Sequence, residues 1–335
     1  MRALLLTAIL VFAAPSRWVV QFTGVESNLR GVAIVVHPTG TTIWASGNGG
    51  VVLRSADSGQ SWQRQAIPGG EALDFRGLQA FEGGTVYLMA SGEGKKSRIY
   101  KTRDAGKSWE LQYFDPRESF FLDALACFDA THCFALSDPV EGKFLLLRTE
   151  DGKHWKELPR DHMPDALPKE GAFAASNSSL RVYEKHELYF GTGGPAARVF
   201  HSADDGLTWT ARETPILSGK PSQGIFSVVR AGETVVVTGG DYAEPNRAEK
   251  NAAYSLDRGA TWHLAANLPG GYRSAVENTG GEFVAVGPSG AELSHDGIHW
   301  KRIDSPNLNA LSINGSSGWA VGPHGSVAEY LDQPN

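Results

Sequence analysis

"SADSGQSW", residues 55–62, returns along the chain as "TRDAGKSW" from Thr102, "SADDGLTW" from Ser202 and "SLDRGATW" from Ser255. Two shorter versions, "TEDGKHW" from Thr149 and "SHDGIHW" from Ser294, drop one residue between the Asp and the Trp but keep both ends. Each copy reads as a tight turn between two strands. The Asp and Ser/Thr oxygens accept hydrogen bonds from turn amides, and the Gly supplies a positive φ. The closing Trp places a large ring beneath the turn, so the motif staples a hairpin without any partner molecule. Its reading is structural rather than catalytic.

Upstream of each turn comes one order of pieces: a strand, a short turn, an apolar strand ending in Gly or Ser, a loop, and the strand that enters the turn. The first strands align as "LRGVAIV" (Leu29), "FRGLQAF" (Phe75), "FLDALACF" (Phe121), "AFAASNSS" (Ala172), "IFSVVRAG" (Ile225), "YRSAVENT" (Tyr272) and "LNALSING" (Leu308). The second strands align as "TIWASG", "VYLMASG", "CFALSD", "LYFGTG", "VVVTGG", "FVAVGP" and "WAVGP". There are thus seven units but only six turns. The seventh unit ends in "GSVAEYLDQPN" with no fourth strand, and "SRWVVQF" from Ser16 matches the Trp-bearing fourth strands of the other units. The expected fold is all-β: a single seven-bladed β-propeller over residues 17–335, with four-stranded blades and the last blade closed by the N-terminal strand.

The start, "MRALLLTAILVFAAPS", has a basic residue, a short apolar run and small residues near a possible cut, the pattern of a signal peptide over residues 1–16. The run is too short to span a bilayer. The mature chain is therefore expected to be periplasmic or secreted, without membrane insertion, and a monomer. A formal charge of −6 with no Lys/Arg run leaves no electrostatic footprint for nucleic acid. The two cysteines of the chain, Cys127 and Cys133 in "CFDATHC", read as a local disulfide across a hairpin in an exported protein. With His132 between them and no second ligand pair, a metal site is not expected.

The turns resemble the Asp-box (BNR) repeats of sialidases and related exported propellers. The seven-unit pattern resembles the photosystem II stability/assembly-factor-like propellers. "LSDPVEGKF", "GAFAAS", "GIFS", "GGDY" and "GYRSAV" are similar to a group of bacterial Asp-box propellers described as glycosyl hydrolase-like or oxidoreductase-like. The resemblance covers nearly all of the mature chain and implies a propeller, a fold that hosts catalysts and scaffolds alike. "FRGL" matches the sialidase Phe-Arg-Ile-Pro signature at Phe75 and Arg76 and departs from it at Gly77 and Leu78. Sialidases are six-bladed, and this chain counts seven units.

In a propeller the turns between third and fourth strands lie on the face opposite the one where inner strands begin. Departures from the repeat on that second face are the candidate site. Arg30, Arg76 and Arg273 align at the starts of three inner strands, where guanidiniums could clamp a carboxylate or pair with neighbouring acids. Asp138 and Asp241 replace small residues at the ends of second strands, and Asp123 and Glu170 flank inner strands, with Tyr242 and Tyr272 nearby. Asp138, Glu170 and Asp241 are the candidate catalytic carboxylates of a glycoside hydrolase-like enzyme, if they lie ~5 Å apart for retention or ~6.5–9.5 Å for inversion. The alternative for each is a turn cap or an ion pair. The loop "GGDYAEPNRAEKN" is longer than its equivalents, as insertions on a working face are.

"GTGG" from Gly191 and "GNGG" from Gly47 follow strands but open no helix, so no nicotinamide or flavin motif is present and no cofactor is expected. Two functions remain. One is a non-catalytic binding or assembly-factor-like propeller that holds a polypeptide or carboxylate-bearing partner through Arg30, Arg76, Asp123, Tyr242, Tyr272 and Arg273. The other is a hydrolase acting on a glycan at the same face.

Overall fold

The computed structural model describes residues 17–183, 186–304, 306–315 and 317–331. The expected signal peptide lies outside them. Seven antiparallel sheets form the blades of a seven-bladed propeller. Blade I contains Leu29–His37, Gly40–Gly47, Val52–Ser55 and Gln63–Arg64, and blade II contains Asp74–Ala80, Val86–Ser91, Arg98–Thr102 and Glu110–Phe114. Blade III follows with Leu122–Cys127, Cys133–Val140, Lys143–Thr149 and Lys156–Glu157. Blade IV has Leu180–Tyr183, Glu187–Gly191, Arg198–Ser202 and Thr210–Glu213. Blade V is built on Lys220–Ala231, Thr234–Asp241, Ala252–Ser255 and His263–Leu264. Blade VI comprises Ala275–Asn278, Phe283–Gly287, Gly290–Ser294 and Lys301–Asp304.

Blade VII closes the ring. Its three C-terminal strands, Ala310–Asn314, Ser317–Val321 and Ser326–Leu331, take Trp18–Phe22 as their outermost strand. Trp18 pairs with Tyr330 and Phe22 with Ser326, and the Trp18 and Tyr330 rings lie 5.0 Å apart. The buried side chains fall between blades. Leu29, Ile43 and Leu53 of blade I pack on Trp319, Val321 and Val327 of blade VII, while Trp44 and Val52 pack on Phe75 and Leu88 of blade II. Packing the aliphatic and aromatic residues of the inner strands against the next blade buries most of the apolar surface of the sheets.

The six Asp-containing turns all join third to fourth strands. In the first, Ser55 Oγ donates to Asp57 Oδ1 at 2.7 Å and accepts from the Gly59 N–H at 2.8 Å. Asp57 also accepts from the Ser61 N–H at 2.9 Å. In the shortened turns a histidine replaces the terminal hydroxyl, so that His154 Nδ1 lies 2.6 Å from Asp151 and His299 Nδ1 lies 2.8 Å from Asp296. Cys127 and Cys133 face each other in the blade III hairpin and form a disulfide.

The blades are four-stranded as expected, and in blade V the two-residue segment Gly193–Gly194 also pairs along the inner edge of Lys220–Ala231. One expectation requires correction: the stretch "AFAASNSS" is not the inner strand of blade IV, which begins only at Leu180. Residues 172–179 instead cross the channel. Asn177, with φ 63°, accepts from the Leu125 N–H at 2.7 Å and donates to the carbonyls of Leu78 and Leu125. Ser178 donates to Ser227 Oγ at 2.7 Å, and Ser176 donates to the Ser274 carbonyl at 2.7 Å. The segment thereby touches blades II, III, V and VI. Gly77 makes room for it, since a Cβ there would sit 2.8 Å from Asn177 Oδ1. No helix among the described residues is long and apolar enough to cross a membrane.

Candidate functional site

The crossing segment makes the floor of a cup at the channel mouth, on the face opposite the turns. A repeated backbone irregularity lines it. The pairing of first and second strands skips one residue in four blades: Arg30 in I, Arg76 in II, Asp123 in III and Phe226 in V. A bulged residue is unpaired and its side chain is re-aimed. All four line one cavity of ≈ 500 Å³, joined by Ser274 and Asn309, which immediately precede the first paired residues of blades VI and VII. Blade IV contributes the segment Ala172–Ala175, and Phe121, Asp138, Tyr242, Tyr272 and Pro288 complete the wall.

The cup has distinct sides. On blades I and II, Arg76 is tied to Asp74 Oδ2 at 2.7 Å and donates to the Ala174 carbonyl at 3.1 Å. Arg30 beside it is half-buried and has no hydrogen-bond or ion-pair partner among the described residues. Burial, and then the like charge of Arg76, lower its pKa below the ordinary value, as expected for an uncompensated cation. On blade III, Asp123 is 1% exposed and its Oδ2 has no hydrogen-bond partner. Its pKa is pushed well above the carboxylate range by burial and then by Asp138. Burial also raises Asp138, to about 6, against one opposing hydrogen bond from the Ala172 N–H at 2.9 Å.

The remaining wall is aromatic. Phe173 stacks on Phe226 with ring centroids 3.8 Å apart, and Tyr272 and Tyr242 meet Phe226 edge-on at 4.7 and 6.0 Å. Gly193 and Gly224 are required for this stack. A Cβ on either would lie within 3 Å of the Phe173 ring, at 2.4 and 2.9 Å respectively. The long blade V loop places Tyr242 here and is anchored to blade VI through the Tyr272 N–H, which donates to the Pro245 carbonyl at 3.0 Å.

The structure thus brings together Arg30, Arg76, Asp123, Asp138, Tyr242 and Tyr272. It places the other three candidates elsewhere. Arg273 is out of register by one residue. It is fully buried against Glu292 and also donates to the Tyr272 carbonyl and to Ser289 Oγ, so it fastens the blade rather than facing the channel. Glu170 borders a neighbouring depression with Asp138, but both of its oxygens are engaged by Arg198, Thr192 and the Leu167 N–H. Asp241 caps its loop, accepting from Gln223 Nε2 and the Ala243 N–H, each at 2.9 Å. Phe173, Phe226, Ser274 and Asn309 were not among the candidates. The alignment column that holds Arg30 and Arg76 also holds Phe226, and it holds Ser274 and Asn309 once blade VI is shifted by one residue. Among the described residues no group of three or more His, Cys, Asp or Glu side chains is placed to hold a metal ion.

No family model matches the chain, and no curated protein matches it. Solved structures do. YCF48 bound to D1 peptide superposes with a TM-score of 0.66 at 13% identity, over 96% of this chain and 99% of that one. YCF48 from Cyanidioschyzon merolae gives 0.64 at 17%, over 94% and 98%. Virginiamycin B lyase from Staphylococcus aureus, catalytically inactive and with Quinupristin, gives 0.67 at 10%, over 93% and 98%. The likeness is one of fold. A peptide complex and a lyase share it equally, so the fold does not choose between binding and catalysis.

Proposed function

We propose that this protein is a ligand-binding propeller that holds a polypeptide or other carboxylate-bearing partner in the channel-mouth cup, with Arg30 as the principal anchor. One observation carries the reading. Arg30 is a partly buried guanidinium with no ion pair or hydrogen bond among the described residues, beside a second guanidinium that holds the nearby Asp74, in a preformed cavity of ≈ 500 Å³. A carboxylate relieves that uncompensated charge with two parallel charge-assisted hydrogen bonds. The fold's likeness to YCF48 bound to D1 peptide is consistent with a polypeptide occupant and an assembly-factor-like role. The same reading takes the six turns as Asp-boxes that only hold the blades. It also takes residues 1–16 as a signal peptide that delivers the chain to the periplasm or the exterior.

The test is a defined mixture of synthetic octapeptides free of Asp and Glu, offered to immobilised protein with either free or amidated C-termini. Retention is read by mass spectrometry. Free C-termini are expected to be enriched about tenfold or more by the wild type and not by Arg30→Ala, the loss of one charge-assisted pair. An amidated mixture carrying one internal Glu distinguishes a side-chain carboxylate from a terminal one. Equal retention of all forms overturns the proposal.

A second reading rests on the raised carboxyl pair. With Glu170 and Asp241 engaged elsewhere, a hydrolase would use Asp123 as the protonated acid and Asp138 as its ionised partner. Reducing sugar released from polymeric glycans by the wild type but not by Asp123→Asn would support it. No release from any glycan would remove it.

A further inference from the structure

The cup offers more than an anion site. Arg76 is compensated by Asp74, and Asp123 is buried at the edge of the cavity with an unpartnered oxygen, where burial favours its neutral form. Two side chains of opposite charge have no ion-pair partner among the described residues: Arg30 on blade I, which feels Asp74 only at a distance, and Asp138 on blade III. Asp138 receives only the Ala172 N–H on Oδ1 and has no ion-pair partner among the described residues. The Arg76–Asp74 pair of blade II occupies the position between them in the ring, so the rigid sheets keep the two charges from meeting. The stacked Phe173 and Phe226 with Tyr242 and Tyr272 supply an aromatic wall to the same cavity.

Unpaired, partly buried charges of opposite sign in one cavity are unfavourable for folding, and a single ligand that carries both complements relieves both. We propose that the cup takes a short zwitterionic peptide with both ends free, its carboxylate on Arg30, its ammonium on Asp138, and an aromatic side chain on the Phe226 wall. This inference rests on the reading of the cup as a carboxylate-binding site and narrows it: the occupant also brings a cation. An extended tripeptide spans ~10 Å, and Arg30 and Asp138 line one cavity from blades separated by a single blade. A cavity of ≈ 500 Å³ is of the size that encloses small ligands.

The experiment is calorimetric titration of the full chain at pH 7.5 with Ala-Phe-Ala in four forms: both ends free, N-acetylated, C-amidated, and with Phe replaced by Ala. Acetylation and amidation are each expected to weaken binding about tenfold or more, and removal of the ring several-fold. Asp138→Asn, its folding checked by melting, is expected to lose the preference for the free over the acetylated peptide while keeping the preference for the free over the amidated one. If the acetylated peptide binds as well as the free one while the amide is weak, the zwitterion inference fails and the carboxylate reading stands. If acetylated and amidated forms both match the parent, both fail. If the free-ended tripeptide gives no heat at millimolar concentration, the inference is overturned and the octapeptide test remains independent of it.

Discussion

On the face that carries the turns, every motif carboxylate is satisfied; at the channel mouth, carboxylates of the same kind are not. Asp57, Asp104 and Asp257 each accept side-chain and backbone hydrogen bonds and are held down at about 2. Even the ≈ 300 Å³ hollow on the turn face, between blades III and IV, has its acids paired, His132 to Asp129 at 2.9 Å and His186 to Asp205 at 2.6 Å. In the cup, burial raises Asp138 to about 6 and holds Asp123 well above the ordinary carboxylate value, and Arg30 has no hydrogen-bond or ion-pair partner among the described residues. A motif repeated six times is conformational scaffolding whose groups are used up within itself. A position that varies from blade to blade on one shared bulge leaves charges available to a ligand. Perturbed and unsatisfied groups gathered in a cavity are the mark of a functional site.

Removing a turn's tryptophan has the largest expected effect. Trp209 is buried, lies 5.1 Å from the Phe190 ring and donates to the Gly206 carbonyl at 2.9 Å. Trp209→Ala is expected to destabilise the fold by about 3–5 kcal/mol, measured by chemical denaturation. Peptide retention below the melting range should be unchanged. Lost retention in a folded variant would show that the two faces are coupled and break the comparison.

Opposite responses to acid sharpen it. A carboxyl raised in the folded state above its ordinary value of 3.8 weakens the fold above about 6, and that penalty is relieved as pH falls from about 6 towards 3.8. Asp138→Asn is therefore expected to stabilise the protein at pH 7.5 by roughly 1–2 kcal/mol. The gain should fade across that window. The charged groups around Asp138 are Asp123, the Arg76–Asp74 pair, Arg30, Lys169 and the Glu170–Arg198 pair. The turn carboxylates carry the other sign. Their stabilisation is present above 3.8 and is lost as pH falls towards about 2. Melting curves from pH 8 to 3 for wild type and variant, with no gain at any pH, would contradict the burial account of Asp138.

Much of this architecture was legible in the chain. Seven apolar strand pairs, six turns and the orphan strand at Trp18 dictated the blade count and the closure, because each piece recurs with its burial pattern intact. The Cys127–Cys133 pairing followed from the hairpin alignment. The inner strand of blade IV is not legible because "AFAASNSS" resembles a strand in composition while Asn177 and its serines spend their hydrogen bonds on four other blades. Arg273 differs from the sequence alignment by one residue, and in a strand one residue changes the face a side chain occupies. The Phe173–Phe226 stack could not be read locally. Its rings come from different blades and meet only through the clearance at Gly193 and Gly224. In sequence Arg76 is equivalent to Arg30, but its bonds to Asp74 and to Ala174 of the floor segment engage it, so Arg30 is the cleaner probe.

The most direct test of the contrast between the faces is the affinity for the free-C-terminus octapeptides of two variants, Arg30→Ala and Asp204→Ala, each with its melting curve. Asp204 accepts from Ser202 Oγ at 2.8 Å, the Thr208 N–H at 2.8 Å and Thr208 Oγ1 at 2.7 Å, so its loss is expected to destabilise the fold by about 1–2 kcal/mol and leave affinity unchanged. Arg30→Ala is expected to keep or modestly raise stability, because it removes an unpaired and partly buried charge, and to weaken binding about tenfold or more. The opposite pattern, with affinity lost in Asp204→Ala and retained in Arg30→Ala, would place the working surface on the turns and contradict the account.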